Sequence, residues 1–168
     1  MICNATSTVN IRMNAATGLD LPHILFVDDN QLDVHLMQMA FEPYRERLSF
    51  SSVPNMITAL DYLARRGRFT TALVPDLILL DLNLPVQNGL VLLQEIEADP
   101  VWKRIPVIVL SSSSRQTDIE EAYRMGAMLY VVKPNHWDRY IDLASSFARL
   151  AGMPAHETRI PSGRIPRR

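Results

Sequence analysis

Four short apolar runs recur along the chain, and each ends on a polar residue. Ile24-Leu25-Phe26-Val27 leads into Asp28-Asp29, and Leu77-Ile78-Leu79-Leu80 into Asp81. Val107-Ile108-Val109-Leu110 leads into Ser111, and Leu129-Tyr130-Val131-Val132 into Lys133. Apolar runs without polar alternation suit strands of a parallel sheet, whose two faces are both covered. A fifth segment, Leu48 to Val53, alternates more weakly and reads as an edge strand.

Between these runs the hydrophobic period becomes that of a helix. Leu36, Met37, Ala40 and Phe41 form one stripe, and Met56, Ala59, Leu60 and Leu63 a second. Gly89 to Asp99 carries Leu92, Leu93 and Ile96; Thr117 to Met125 carries Ile119, Ala122 and Tyr123; Trp137 to Leu150 carries Tyr140, Ile141, Ala144 and Phe147. Thr117 and Glu120 stand at capping-box spacing, which would start the fourth helix there. Five strand–helix units joined by right-handed crossovers predict an α/β fold, a five-stranded doubly wound parallel sheet flanked by five helices. The alternation predicts one domain over residues 22–151, an N-terminal extension at 1–21 and a C-terminal tail at 152–168.

Composition narrows the functions available. With 17 Lys+Arg against 18 Asp+Glu and a formal net charge of -1, no global field draws the chain to nucleic acid or an anionic membrane. Arg159, Arg164, Arg167 and Arg168 are a local feature of the tail. Cys3 is the only cysteine, which excludes an intramolecular disulfide or a cysteine-built zinc site and fits a reducing compartment. Residues 1–20 lack the apolar stretch of a secretory signal, and Asp76 and Asp81 interrupt the most apolar segment. A soluble, cytoplasmic protein is therefore expected, and the glycosylation-like triplet Asn4-Ala5-Thr6 reads as accidental. His23, His35, His136 and His156 show no metal-ligand spacing and read as surface or structural residues.

The chemistry gathers where the strands end. In open sheets of this kind ligands sit outside the carboxyl ends of the strands, near the reversal of strand order, which singles out Asp28, Asp29, Asp81, Ser111 and Lys133. Carboxylates brought together there repel by about 4 kcal/mol per pair at roughly 4 Å with an effective dielectric near 20, so a cation has to compensate. An all-oxygen pocket favours Mg²⁺ or Mn²⁺, and Lys133 adds a fixed positive charge. One carboxylate so placed can act as nucleophile toward a phosphoryl group, a transfer governed by positioning and charge neutralisation. The Ser111 hydroxyl can donate to a phosphoryl oxygen.

The ordered set of motifs strongly resembles the bacterial response-regulator receiver family, over roughly residues 22–151. These motifs are Asp28-Asp29, Leu80-Asp81-Leu82-Asn83-Leu84-Pro85 with Asn88-Gly89, Val107 to Ser113, Gly126-Ala127 and Val132-Lys133-Pro134. The resemblance implies a flavodoxin-like, CheY-like fold with Asp81 as phosphoacceptor. It implies that Asp29 and the backbone carbonyl of Asn83 ligate Mg²⁺ directly while Asp28 acts mostly through water. It implies that Ser111 and Lys133 bind the phosphoryl group and that Tyr130 is an aromatic switch turning inward as Ser111 moves. The Leu-Asn-Leu-Pro segment, the Ser111 to Ser114 run and Ala122-Tyr123 before Gly126-Ala127 resemble the stand-alone regulators paired with phytochrome-type sensor kinases. A sensor histidine kinase, a bacterial phytochrome among the candidates, is thus the implied partner.

Two other readings compete. An aspartate-based Mg²⁺ phosphohydrolase would carry Asp-x-Asp, its second acid protonating the leaving group; Asp81-Leu82-Asn83 puts an amide there, which cannot be a general acid. A phosphorylation-independent pseudo-receiver would have lost a pocket acid or the lysine, and none is lost. No independent substrate turnover is expected. No output domain is expected after the fifth helix, so the signal would leave through the receiver's own surface. A homodimer through the face from the fourth to the fifth helix is expected, with terminal arms anchored by Val9, Ile11, Ile160 and Ile165.

Overall fold

The computed structural model describes residues 21–86 and 88–153. The N-terminal extension up to residue 20 and the tail beyond Met153 lie outside the described residues. So do the readings placed on them: Cys3, the Asn4-Ala5-Thr6 triplet, His156, the terminal arginines and the arm residues Val9, Ile11, Ile160 and Ile165.

The apolar runs form five parallel strands, β1 (His23–Val27), β2 (Ser49–Val53), β3 (Leu77–Leu80), β4 (Val107–Ser111) and β5 (Leu129–Val132), in the order β2-β1-β3-β4-β5. Five helices connect and follow them: α1 (Gln31–Phe41), α2 (Met56–Leu63), α3 (Gly89–Ala98), α4 (Gln116–Arg124) and α5 (Trp137–Leu150). The runs at β1, β3 and β4 are apolar throughout because alternate side chains enter opposite layers. Leu25, Val27, Ile78, Leu80 and Val109 pack with α2 and α3 on one face. Ile24, Phe26, Leu77, Leu79, Ile108 and Leu110 pack with α1 and α5 on the other. Each such fully buried side chain contributes about 1.5–3 kcal/mol.

Three helices begin at the carboxyl edge of the sheet under asparagine caps. The side-chain oxygens of Asn30, Asn55 and Asn88 accept from the amides of Leu32, Thr58 and Leu90 at 3.0, 2.9 and 3.0 Å. An Asn there occupies amides that would otherwise have no intrahelical partner. α4 differs from the expectation. It starts at Gln116 with Arg115 as an N-cap that makes no side-chain cap bond, so Thr117 lies inside the first turn and no Thr117–Glu120 box forms. Asp118 instead accepts from the Ser113 hydroxyl and from Arg115, and the Ser113 bond foremost holds its carboxyl below the usual range.

Two further expectations are corrected at this edge. β5 is not a strand covered on both faces: Leu129 and Val132 are exposed, and of the neighbouring α4 only Ala122 is buried. Tyr123 is likewise not a core residue of α4. It is 47% exposed, and only Ala122 of that helix is buried, since α4 is polar and rests on the sheet edge by one small side chain.

His23, at the amino end of the interior strand β1, is 1% exposed. Its Nε2 lies 2.7 Å from the Tyr62 hydroxyl, and the ring stacks on that of Tyr62. Nδ1 lacks a well-formed hydrogen bond, and the Ser49 backbone offsets this only in part. Burial pulls the imidazole down from 6.5 to about 4. The unfolded chain therefore takes up a proton near 6.5 that the folded chain refuses until about 4. The His23 contribution to stability is complete above that window and falls by about 3 kcal/mol as pH drops through it. Denaturant titrations of the parent and His23→Leu should show the parent losing stability relative to the variant between these pH values. A difference that does not vary with pH would contradict this account.

Candidate phosphoryl-transfer site

The ladder of the sheet continues one residue past the strand ends and fixes the candidate residues. The amide of Asp28 donates to Val53, that of Asp81 to Val27 and that of Lys133 to Ser111, at 3.0, 2.9 and 2.8 Å. Asp28, Asp81 and Ser111 are thereby buried at 1%, 4% and 0% exposure. Burial at this depth requires that their polar atoms be satisfied within the protein.

Lys133 supplies that partner for the acids. Its Nζ lies 2.7 Å from Oδ2 of Asp28, Asp33 and Asp81 alike. An ammonium has three N–H donors, and each meets one carboxylate. The remaining oxygens of two acids accept backbone amides, Asp28 Oδ1 from Asn30 at 2.8 Å and Asp81 Oδ1 from Asn83 at 3.0 Å. Burial nevertheless pushes the Asp28 carboxyl up to about 6, against the opposing pull of Lys133. For Lys133 burial acts to lower the pKa, but the bonds to Asp28, Asp33 and Asp81 outweigh it and hold the ammonium above its ordinary value.

Asp33 was not among the residues singled out from the sequence. It is an acid in the first turn of α1, three residues after the Asn30 cap, and that spacing beside a strand-end aspartate pair is the signal that could have found it. Asp29, by contrast, is exposed next to the cluster. Among the described residues no three acidic or histidine side chains stand at metal-ligand spacing; the acids close on Lys133 instead. The donor set still suits a hard divalent cation. It is all oxygen, and three carboxylates against one ammonium leave negative charge uncompensated.

The second half of the pocket is built from amide and hydroxyl groups. The Asn83 side-chain amide donates to Ser111 Oγ at 3.4 Å and Ser112 Oγ at 3.2 Å, and the Ser113 amide donates to Ser111 Oγ at 3.3 Å. Ser111 Oγ thus accepts here, and its own proton is available to a new oxygen. Tyr130 is half-buried against the α2–α3 side of the core. Its hydroxyl donates to the Ser113 carbonyl at 2.9 Å, and its backbone amide donates to the Tyr123 hydroxyl at 3.2 Å. The ring is therefore already seated beneath the loop between β4 and α4.

An acid cluster closed by one lysine at the carboxyl edge of a sheet ordered β2-β1-β3-β4-β5 defines a receiver-type signalling module. The model of the response regulator receiver domain matches residues 24–144, and this chain belongs to that family. Response regulator Rcp1 of Synechocystis is 34% identical over 110 residues, spanning 66% of this chain and 75% of the relative. The crystal structure of the phosphorylated cyanobacterial phytochrome response regulator RcpA is similar with a TM-score of 0.71 and 35% identity, covering 76% of this chain and 91% of that one. The crystal structure of the Mn²⁺-bound form of Rcp1 gives a TM-score of 0.72 at 29% identity, covering 80% and 99%. Among the described residues no helix is long and apolar enough to cross a membrane.

Proposed function

We propose that this receiver accepts a phosphoryl group on Asp81 from the phosphohistidine of a sensor kinase. The observation that supports this most directly is the 2.7 Å bond between Lys133 Nζ and Asp81 Oδ2 at the end of β3. An Asp81 oxygen attacks phosphorus, the P–N bond breaks, and the imidazole leaves as the acyl phosphate forms. Lys133 and the Ser111 hydroxyl receive phosphoryl oxygens. Asp29 and the Asn83 carbonyl would hold Mg²⁺ or Mn²⁺, with Asp28 through water. The ion supplies charge neutralisation for the attacking carboxylate and the transferred group.

Tyr130 is the aromatic switch in this reading, its Ser113 bond depending on the position of the loop after Ser111. A two-state element responds only as far as the phosphoryl group favours one state. The similarity to Rcp1 and RcpA supports a bacterial phytochrome as the kinase. The exposed Tyr123, Leu129, Val132 and Trp137 support a homodimer through α4, β5 and α5. The protein acts in the cytoplasm and turns over no separate substrate; residues 22–151 form the working unit.

Incubation with acetyl phosphate and Mg²⁺ should add one phosphoryl mass to the intact protein, and Asp81→Asn should stay at the unmodified mass. Labelling of Asp81→Asn at the parental rate would overturn the assignment.

A further inference from the structure

Asp33 is the one carboxylate on Lys133 that phosphoryl transfer leaves without a task. Asp81 exchanges its bond to Nζ when one of its oxygens takes the phosphoryl group as an acyl phosphate, and Asp28 has a cation to serve. Asp33 has neither demand. It stands on the first turn of α1 with its side chain 16% exposed. Beyond it lies Tyr140, 4% exposed on the first turn of α5. Burial first, and then the charge of Asp33, raise the Tyr140 phenol above its ordinary value. α1 and α5 share one core layer on the same face of the sheet, which holds the two first turns together.

We propose that Asp33 is a positioning residue for Lys133, keeping its ammonium at the centre of the pocket in every state of Asp81. This rests on the phosphoacceptor reading of the pocket. Without Asp33, loss of the Asp81 bond would leave Nζ only Asp28, an acceptor a bound cation also claims. With Asp33, the ammonium keeps a partner outside the reacting set and stays within reach of incoming phosphoryl oxygens.

The test uses Asp33→Asn, which preserves shape and an acceptor oxygen but removes the charge. Nitrogen-15 spectra of the Lys133 ammonium, taken without phosphodonor, should show a shifted and faster-exchanging signal in Asp33→Asn, with the amide spectrum of the sheet unchanged. Labelling by acetyl phosphate at saturating Mg²⁺ should slow about tenfold in Asp33→Asn, as expected for a misplaced catalytic group. An unchanged Lys133 signal in Asp33→Asn overturns the proposal, whatever the labelling rates. If the parent takes no phosphoryl group while the signal moves as described, the phosphoacceptor reading fails and the positioning role stands.

Discussion

Lys133→Met should lose about 3–5 kcal/mol of stability at neutral pH in the absence of divalent metal, because removing one member of a buried ion cluster strands the others. The stranded groups are Asp28, Asp33 and Asp81, all bonded to the same Nζ at 2.7 Å in the parent. Methionine matches the volume of the lysine stem, so the loss is electrostatic and not a cavity. Two treatments should restore most of it. Saturating Mg²⁺ would supply the missing positive charge, and mild acid would protonate the carboxylates, beginning with Asp28, whose burial already lifts it to about 6. An acid whose folded pKa is raised binds protons more tightly folded than unfolded, so the variant should gain stability as pH falls toward that value. Denaturant titrations with and without Mg²⁺ measure this. Equal losses under both conditions would show that the cluster is not held by charge compensation. Labelling by acetyl phosphate should be severely reduced in either case, since Lys133 is assigned to the phosphoryl oxygens.

Gly89→Ala should be strongly destabilising, costing about 3 kcal/mol. A Cβ on Gly89 would lie 2.3 Å from the Asp81 carbonyl oxygen and 2.8 Å from Leu82 Cα. Both are backbone atoms of the segment that carries Asp81, and neither can rotate away. The Gly89 amide also donates to the Leu82 carbonyl at 2.9 Å, which draws the start of α3 onto that segment. Overpacking against fixed atoms typically costs 1–3 kcal/mol or more, and relief here can come only by displacing Asp81 or unseating α3. Gly67→Ala is the control: it has a positive φ of 57° but nothing within 4 Å of a new Cβ, so only the left-handed penalty of about 1–2 kcal/mol applies. Thermal melts of the two variants should separate clearly, with slower labelling confined to Gly89→Ala. Equal melting temperatures would refute the close-approach argument.

Much of this was legible in the chain because parallel strands buried on both faces announce themselves as unbroken apolar runs. Ile24 to Val27, Leu77 to Leu80 and Val107 to Leu110 could hardly be anything else, and the polar residues closing them had to share one edge once the sheet was parallel. Asp28, Asp81, Ser111 and Lys133 follow from that alone. The same signal misled at Leu129 to Val132. Apolarity states that a strand could be covered, whereas the packing of helices on its two faces decides whether it is. The capping-box spacing at Thr117 failed for a related reason: the loop from Ser111 to Arg115 is shaped by bonds to Asn83 and Tyr130, from distant parts of the chain, and they set where α4 begins. Asp33 shows the limit most plainly. Its spacing after Asn30 is local, but its bond to Lys133 spans 100 residues and arises only when α1, β5 and α5 meet. Residue type and order along the chain determined the sheet, its edge and the class of chemistry. Which acid meets which cation was decided by tertiary packing, because a hydrogen bond of 2.7 Å depends on where three separate elements place their ends.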